Sequence, residues 1–144
     1  MLRGTQGYFR MKNLFSALGL ACLTALPATA ADAFKANRGV RVLPVNDIVY
    51  EVVPRGSGGT WDYWCAAAQF ARRGLGASWT DRFYVVRGRD LSVTTGRRSS
   101  VQFTLYPERA GVPPKTGWLS LGFRPGDSMS VQQGYGYCVQ APAL

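Results

Sequence analysis

Residues 11–30 are arranged in three parts that together indicate a segment removed before folding. Met11-Lys12-Asn13 is short and positively charged, an apolar run from Leu14 to Leu26 follows, and Pro27 ends that run before Ala28-Thr29-Ala30. This order is typical of a secretory signal peptide with a small-x-small cleavage site. A transmembrane helix needs about 20 apolar residues, and this run is shorter. We therefore predict residues 1–30 to be a signal peptide cleaved after Ala30, with one domain in residues 31–144.

The beginning of the chain leaves two alternatives open. Residues 1–10 are polar and contain Gly4 and Gly7, so Met11 is one candidate start and a longer charged region from Met1 is the other. Cys22 is a candidate lipidation site. Gly19 stands where a lipoprotein site has leucine, and Cys22 lies inside the apolar run, so cleavage after Ala30 is the preferred interpretation.

The predicted mature chain is basic and arginine-rich. It keeps 14 of the 17 basic residues and all 8 acidic ones, which gives a net charge of +6, and only Lys35 and Lys115 among its basic residues are lysines. Arginine suits bidentate contacts with carboxylate and phosphate groups. The composition is therefore compatible with an anionic partner, although net charge also serves solubility.

Two cysteines, Cys65 and Cys138, remain after the predicted cleavage. An exported chain enters an oxidising compartment in which paired cysteines persist as disulfides, and two cysteines allow one intramolecular pairing. We predict a structural Cys65–Cys138 bridge, and from these features a periplasmic or secreted location.

Hydrophobic periodicity predicts an α+β fold, with one helix packed on a small, mainly antiparallel sheet. Trp61, Trp64, Cys65, Ala68 and Ala71 recur at helical spacing, which predicts a helix from Trp61 to Arg73 with Trp61 and Trp64 in the core. Thr60 is the expected N-cap, and Gly74 the C-cap. The β-branched run from Ile48 to Val53 is apolar on both faces and predicts a central strand.

The remaining segments predict strands and turns. Arg124-Pro125-Gly126-Asp127 has proline and glycine where a type II turn needs them. The sequence indicates a turn at residues 88–90, a loop at residues 107–117, and a last strand around Tyr135, Tyr137 and Val139. The other predicted strands are residues 83–87, 91–95, 101–106, 119–123 and a strand with Met129 and Val131.

The sequence lacks candidate residues for most of the reactions that enzymes catalyse. The chain has no histidine, which removes the commonest general base and metal ligand. With Cys65 and Cys138 paired, no thiol remains, and no Gly-x-Ser-x-Gly motif is present. We therefore assign no catalytic, cofactor-binding or metal-binding residue, and expect the eight carboxylates to lie in turns or solvated ion pairs.

Three groups of residues are candidates for binding. The first is an arginine cluster that also includes Arg82. If residues 83–87 pair with residues 91–95, strand ends and adjacent loops supply its other members, Arg87, Arg89, Arg97 and Arg98. The second is the Gly-rich loop from Arg55 to Thr60, at a helix N-terminus. The third is aromatic: Trp61, Tyr63, Trp64, Trp79, Trp118, Tyr135 and Tyr137.

The preferred functional hypothesis is a non-enzymatic envelope or secreted binding module for an anionic polymer or an acidic protein. Two alternatives stay open. An accessory subunit of an envelope assembly would show a large exposed apolar patch, and an enzyme with carboxylate chemistry would bring two acidic side chains into one apolar cleft.

Overall fold

The fold is α+β, as predicted, in a computed structural model that describes residues 32–113, 115 and 122–139. Within these residues, six strands form one antiparallel sheet in the order β1-β2-β3-β5-β4-β6. The strands are β1 (Phe34–Lys35), β2 (Arg41–Pro44), β3 (Val49–Val53), β4 (Arg82–Asp90), β5 (Ser100–Thr104) and β6 (Ser128–Ser130). The predicted signal peptide and the question of Cys22 lie outside the described residues.

Strand β3 is central, as the sequence predicts. It pairs with β2 on one side and β5 on the other, and all five of its residues are buried. Tyr50 and Val52 belong to the main core, where the aromatic rings of Trp64, Phe83 and Phe103 pack together. Because side chains alternate along a strand, Val49, Glu51 and Val53 face the opposite side of the sheet.

Helix α1 (Thr60–Gln69) covers the core face of the sheet and continues into a π-helical turn (Phe70–Gly74). Together they include the whole predicted helix, from Trp61 to Arg73, and Gly74 lies inside the π-helical turn with Leu75 as its C-cap. Gly59, not Thr60, is the N-cap, and its N–H donates to the Asp62 carboxylate at 2.9 Å. Trp64 is fully buried as predicted, but Trp61 is 41% exposed. The core prediction for Trp61 is wrong because this residue lies in the first helical turn, where its ring packs on Tyr137 at the rim.

The segment around Tyr135 forms a second helix, α2 (Val131–Gly136), where the sequence analysis expects a strand. Ser130 caps it: its hydroxyl accepts from the Gln133 N–H at 3.2 Å, and the Gln133 side chain accepts from the Ser130 N–H at 3.0 Å. The first helical N–H groups donate to the carbonyls of Asp81 and Trp79. These contacts satisfy the N-terminal donors that a short helix otherwise leaves unpaired.

Helices α1 and α2 are joined by the predicted disulfide. Cys65 and Cys138 have Cα atoms 4.9 Å apart, within the range that a disulfide requires. The bridge connects α1 to the residues just after α2, and not to a final strand as expected. In the part of the chain that the structure describes, no helix is long and apolar enough to cross a membrane.

Two further strand predictions are wrong. Residues 91–95 form a turn, and residues 88–90 belong to strand β4, which runs to Asp90 instead of ending at Arg87. Residue Val131 starts α2 rather than continuing the strand of Met129. The expected loop at residues 107–117 is confirmed over residues 107–113 and 115, which contain no helix or strand. Of the predicted strand at residues 119–123, only residues 122 and 123 are described, and neither is in a strand.

The Arg124–Asp127 turn is confirmed. The Asp127 N–H donates to the Arg124 carbonyl at 2.9 Å, and Gly126 has a φ of 90°, which a type II turn requires at its third position. The turn leads directly into β6 at the edge of the sheet.

Candidate anion-binding site

A β-bulge in strand β4 determines which face of the sheet Arg87 occupies. Val85 pairs with Phe103, but Arg87 pairs with Gln102, so Val86 is an extra residue on this strand. Gln102 in turn pairs with Glu51 on β3. Directly opposed residues in a sheet point to the same face. The bulge therefore aligns Arg87, Gln102 and Glu51 across three strands, on the face opposite to α1.

Glu51 is fully buried on this face and holds the loop that connects β4 to β5, residues 91–99. Because an unpaired buried carboxylate is costly, its oxygens need several donors. Six groups donate to them: the Ser92 hydroxyl (2.7 Å), the Thr94 hydroxyl (2.6 Å), the Ser100 hydroxyl (2.9 Å), the Val93 N–H (3.1 Å), the Thr94 N–H (3.1 Å) and the Gln102 amide (3.4 Å).

These contacts explain why residues 91–95 are not a strand. The N–H groups of Val93 and Thr94, which a strand would donate to a neighbouring strand, donate instead to Glu51. The Ser92 hydroxyl also accepts from the Thr95 N–H at 3.0 Å. Hydrogen bonds to Glu51, and not pairing with another strand, therefore hold this loop in place.

Hydrogen bonding keeps the Glu51 carboxyl ionised. Burial by itself raises the pKa of this group, but hydrogen bonds from Thr94, Ser92 and Val93 lower it by more, and the resulting pKa is about 2. The Arg87 guanidinium lies 3.6 Å from Glu51 Oε1 and adds a positive charge beside it.

The two limbs of the β4–β5 loop are tied to each other. The Ser92 N–H donates to the Arg97 carbonyl at 2.7 Å, and the Gly96 N–H donates to the Ser92 carbonyl at 2.9 Å. The Arg97 side chain then crosses to the segment before α1, where it donates to the carbonyls of Pro54 (3.2 Å) and Arg55 (2.5 Å). The loop is thereby fixed against the Gly-rich segment.

A surface pocket of about 490 Å³ lies where these two segments meet. We call it the basic pocket; its lining residues are Arg55, Gly56, Ser57, Arg89, Arg97, Arg98 and Ser99. None of these described lining residues is acidic. The four guanidinium-bearing residues are exposed, so an anion in solvent can reach them.

Arg89 is positioned by aromatic and hydroxyl contacts. Its guanidinium lies 4.9 Å from the ring centre of Tyr63 and 5.1 Å from that of Phe123, and it donates to the Thr60 hydroxyl at 3.2 Å. Stacking on a ring leaves the in-plane N–H donors of a guanidinium available. Arg89 is thus held in place without a neutralising carboxylate.

Of the four arginines predicted from the sequence, the structure brings three together. Arg89, Arg97 and Arg98 line the basic pocket, while Arg87 lies between two carboxylates, Glu51 at 3.6 Å and Asp90 at 3.7 Å. Arg55, which the sequence places only in the Gly-rich loop, is the fourth arginine of the pocket. The first two candidate groups therefore form one site. Arg82 lies apart and donates to Ser128.

Comparison with protein-family models, with curated proteins and with solved structures gives no match to this chain.

Each acidic residue that lines a pocket among the described residues stands there alone. Asp47 and Asp81 each line a separate pocket, and no second carboxylate is among the described residues that line either one. Glu51 is fully engaged by its donors, and Asp127 accepts from the Arg124 N–H at 2.9 Å within its turn. No group of three potential metal ligands is found among the described residues.

A second cavity, of about 340 Å³, is apolar on most of its surface. Its lining includes Ile48, Tyr50, Phe70 and Leu105. The buried Tyr50 hydroxyl has no hydrogen-bond partner among the described residues, and burial raises the pKa of this phenol above its ordinary value. Tyr50 therefore remains protonated and is unsuited to act as a base.

The aromatic candidates do not form one surface. Tyr63 and Trp64 are buried in the core, and Trp118 lies outside the described residues. Trp79 is 42% exposed, packs edge-on against Tyr135 with 5.1 Å between ring centres, and has the Arg72 guanidinium 4.8 Å from its ring centre.

Proposed function

We propose that this protein is a non-enzymatic binding module that acts in the periplasm or outside the cell and binds an anionic partner in the basic pocket. One observation carries the proposal: four arginines from two separate chain segments line a single exposed pocket without an acidic residue among its described lining. Assembling like charges is unfavourable unless something compensates for their repulsion. A bound anion supplies that compensation.

The pocket arginines differ in how firmly they are held, which suggests a division of roles. Arg97 is fixed by two carbonyls and Arg89 by two rings, so these side chains define the shape of the pocket. The Arg55 and Arg98 side chains form no hydrogen bond or ion pair with any described residue and supply free donors. Guanidinium groups recognise phosphate and carboxylate oxygens through charge-assisted, often bidentate, hydrogen bonds. We assign phosphate or carboxylate groups as the ligand chemistry.

The disulfide supports the proposed location, because cysteine pairs of this kind persist in oxidising compartments. The cleaved signal peptide is part of the proposal. Intact-mass measurement of the protein from its producing cells tests it: a chain beginning at Ala31 is the expected result, and an uncleaved chain with free thiols would overturn the assigned location.

The binding proposal is tested by titrating the oxidised protein with inorganic polyphosphate in a calorimeter. The double substitution Arg55→Ala/Arg98→Ala removes the two free guanidinium groups and is expected to weaken binding roughly tenfold or more. Lys35→Ala/Arg109→Ala removes the same charge from outside the pocket and serves as the matched control. Equal losses in the two variants would show that net charge, and not this pocket, binds the polymer.

A second candidate function, an accessory subunit, is favoured by a different surface. Trp79, Gln132, Tyr135, Gly136 and Val139 line a shallow depression of about 420 Å³, and Val139 is 82% exposed. A protein partner held by this surface would be retained at high salt, whereas a partner held by the basic pocket would be released. Capture of one defined periplasmic protein that resists salt and is abolished by Trp79→Ala would support the accessory role.

A further inference from the structure

The β4–β5 loop presents two aliphatic side chains to solvent. Leu91 is 56% exposed and Val93 is 58% exposed. Between them, Ser92 points inward and is 3% exposed, because its hydroxyl donates to Glu51. Leu91 and Val93, on either side of this fixed serine, point outward. We call these two side chains the apolar tip.

The apolar tip and part of the basic pocket come from the same loop. Arg97, which lines the pocket, accepts the Ser92 N–H through its carbonyl, so the limb with Leu91 and Val93 runs beside the limb with Arg97 and Arg98. Arg89 lies two residues before Leu91 in the chain. The Arg87 guanidinium donates to the Leu91 carbonyl at 2.5 Å and fixes the start of the loop.

The tip is exposed in an ordered loop. The N–H groups of Ser92, Val93 and Thr94 all have acceptors, and Glu51 anchors the loop from below. Holding Leu91 and Val93 in water is unfavourable for the protein alone. A rigid arrangement that keeps them there indicates a partner with both an apolar layer and negative charge.

We propose that the apolar tip and the basic pocket together bind the surface of a bilayer rich in anionic phospholipids, an inference that rests on the proposed anion-binding function. Leu91 and Val93 enter the boundary between headgroups and acyl chains, while the pocket arginines bind lipid phosphates. Interfacial binding of this kind combines buried apolar area with electrostatic attraction to anionic lipids.

The bilayer is favoured over the other anionic partners on physical grounds. A soluble polyanion would contact the arginines but would gain nothing from two aliphatic side chains. A protein interface of ordinary stability buries about 800 Å² on each partner, far more than two such side chains offer. The surface of an anionic bilayer can bind both the aliphatic side chains and the arginines, and it can do so over a small contact area.

Vesicle co-sedimentation with the oxidised protein tests the inference. The probes are vesicles of phosphatidylglycerol mixed with phosphatidylcholine, vesicles of phosphatidylcholine alone, and inorganic polyphosphate as a soluble anion. We expect binding to the anionic vesicles, little binding to the neutral ones, and a loss of vesicle affinity of roughly tenfold for Leu91→Ser/Val93→Ser. Polyphosphate affinity should not change in that variant.

The control is Leu75→Ser, which replaces a leucine that is 47% exposed outside the loop, and it is compared with the single substitution Leu91→Ser as well as with the double variant. Near-ultraviolet circular dichroism of each variant checks that the fold is retained. Equal vesicle binding by the tip variant and the control would overturn the inference, because charge alone would then explain the binding. Polyphosphate binding without vesicle binding would overturn the bilayer as the partner while leaving the proposed function in place. Failure to bind either probe would overturn both.

Discussion

The Glu51 carboxylate on strand β3 and the Ser92 hydroxyl in the β4–β5 loop form a hydrogen bond of 2.7 Å, although 41 residues separate them in the chain. Through this bond and three further hydrogen bonds from Val93 and Thr94, a buried acid organises the loop that supplies three of the seven residues lining the basic pocket. One side chain therefore links the site to the central strand of the sheet.

Replacing Glu51 with glutamine is expected to destabilise the protein by about 2–4 kcal/mol. The amide has only one acceptor oxygen, and its NH₂ group would face donors, so several buried hydrogen bonds are lost at once. Urea denaturation of the oxidised protein measures the change. Glu108→Gln, at an exposed position, is the control and should change the free energy of unfolding by about 0.5 kcal/mol or less. Equal effects of the two substitutions would contradict the anchoring role of Glu51.

Stability should fall in acid through the titration of Glu51. Its pKa is lower in the folded protein, at about 2, than the ordinary value of 4.5, so the folded state binds this proton more weakly. The contribution is therefore complete above about pH 4.5 and is lost as the pH falls toward 2. Urea denaturation at several pH values in this window measures it. The wild-type protein should lose more stability there than Glu51→Gln; parallel curves would show that other carboxyls govern the acid transition.

Removing the disulfide by Cys65→Ala/Cys138→Ala should lower the free energy of unfolding by roughly 4 kcal/mol, because the bridge spans 73 residues and restricts the unfolded chain. Denaturation with and without a reductant provides the measurement. Reductant should destabilise the wild-type protein and leave the double variant unchanged. A wild-type protein insensitive to full reduction would contradict a stabilising role of the bridge.

Gly134→Ala should destabilise the protein by about 1–3 kcal/mol through overpacking. A Cβ atom at this position would lie 2.8 Å from Ala68 Cβ on α1 and 2.8 Å from Phe83 Cζ. Gly136 is the matched control in the same helix, since a Cβ there meets nothing within 4 Å. Gly136→Ala should be neutral or stabilise by up to about 1 kcal/mol. Thermal unfolding compares the two, and equal melting temperatures would contradict the close packing of α1 on α2.

Helix α1, strand β3 and the Arg124–Asp127 turn could be predicted from sequence because local patterns specify them. The helix follows the spacing of Trp64, Cys65 and Ala68, and the turn follows from its proline and glycine. Helix α2 was missed because the alternating Tyr135, Tyr137 and Val139 resemble a strand, and glycine is a poor helix former. The Ser130 and Gln133 capping box is the signal that could have indicated it.

Part of the candidate site could also be predicted. The proximity of Arg89, Arg97 and Arg98 follows from the chain reversal between β4 and β5, which is a local feature. The participation of Arg55 depends on contacts of Arg97 with a segment 42 residues away. The role of Glu51 depends on partners up to 51 residues away, which no local pattern in the sequence specifies. These contacts depend on which distant segments of the chain lie side by side in the fold, and composition does not specify that.

The bulge at Val86 also has a consequence for how such a site could arise in evolution. With regular alternation, Arg87 would follow Phe83 and Val85 onto the core side of the sheet, where a guanidinium would face aromatic rings. The bulge therefore keeps this charge out of the core. Deleting Val86 would restore regular pairing and still leave the arginine opposite Gln102, so this strand can lose one residue without exchanging the arginine, whereas straightening it at full length would bury the guanidinium.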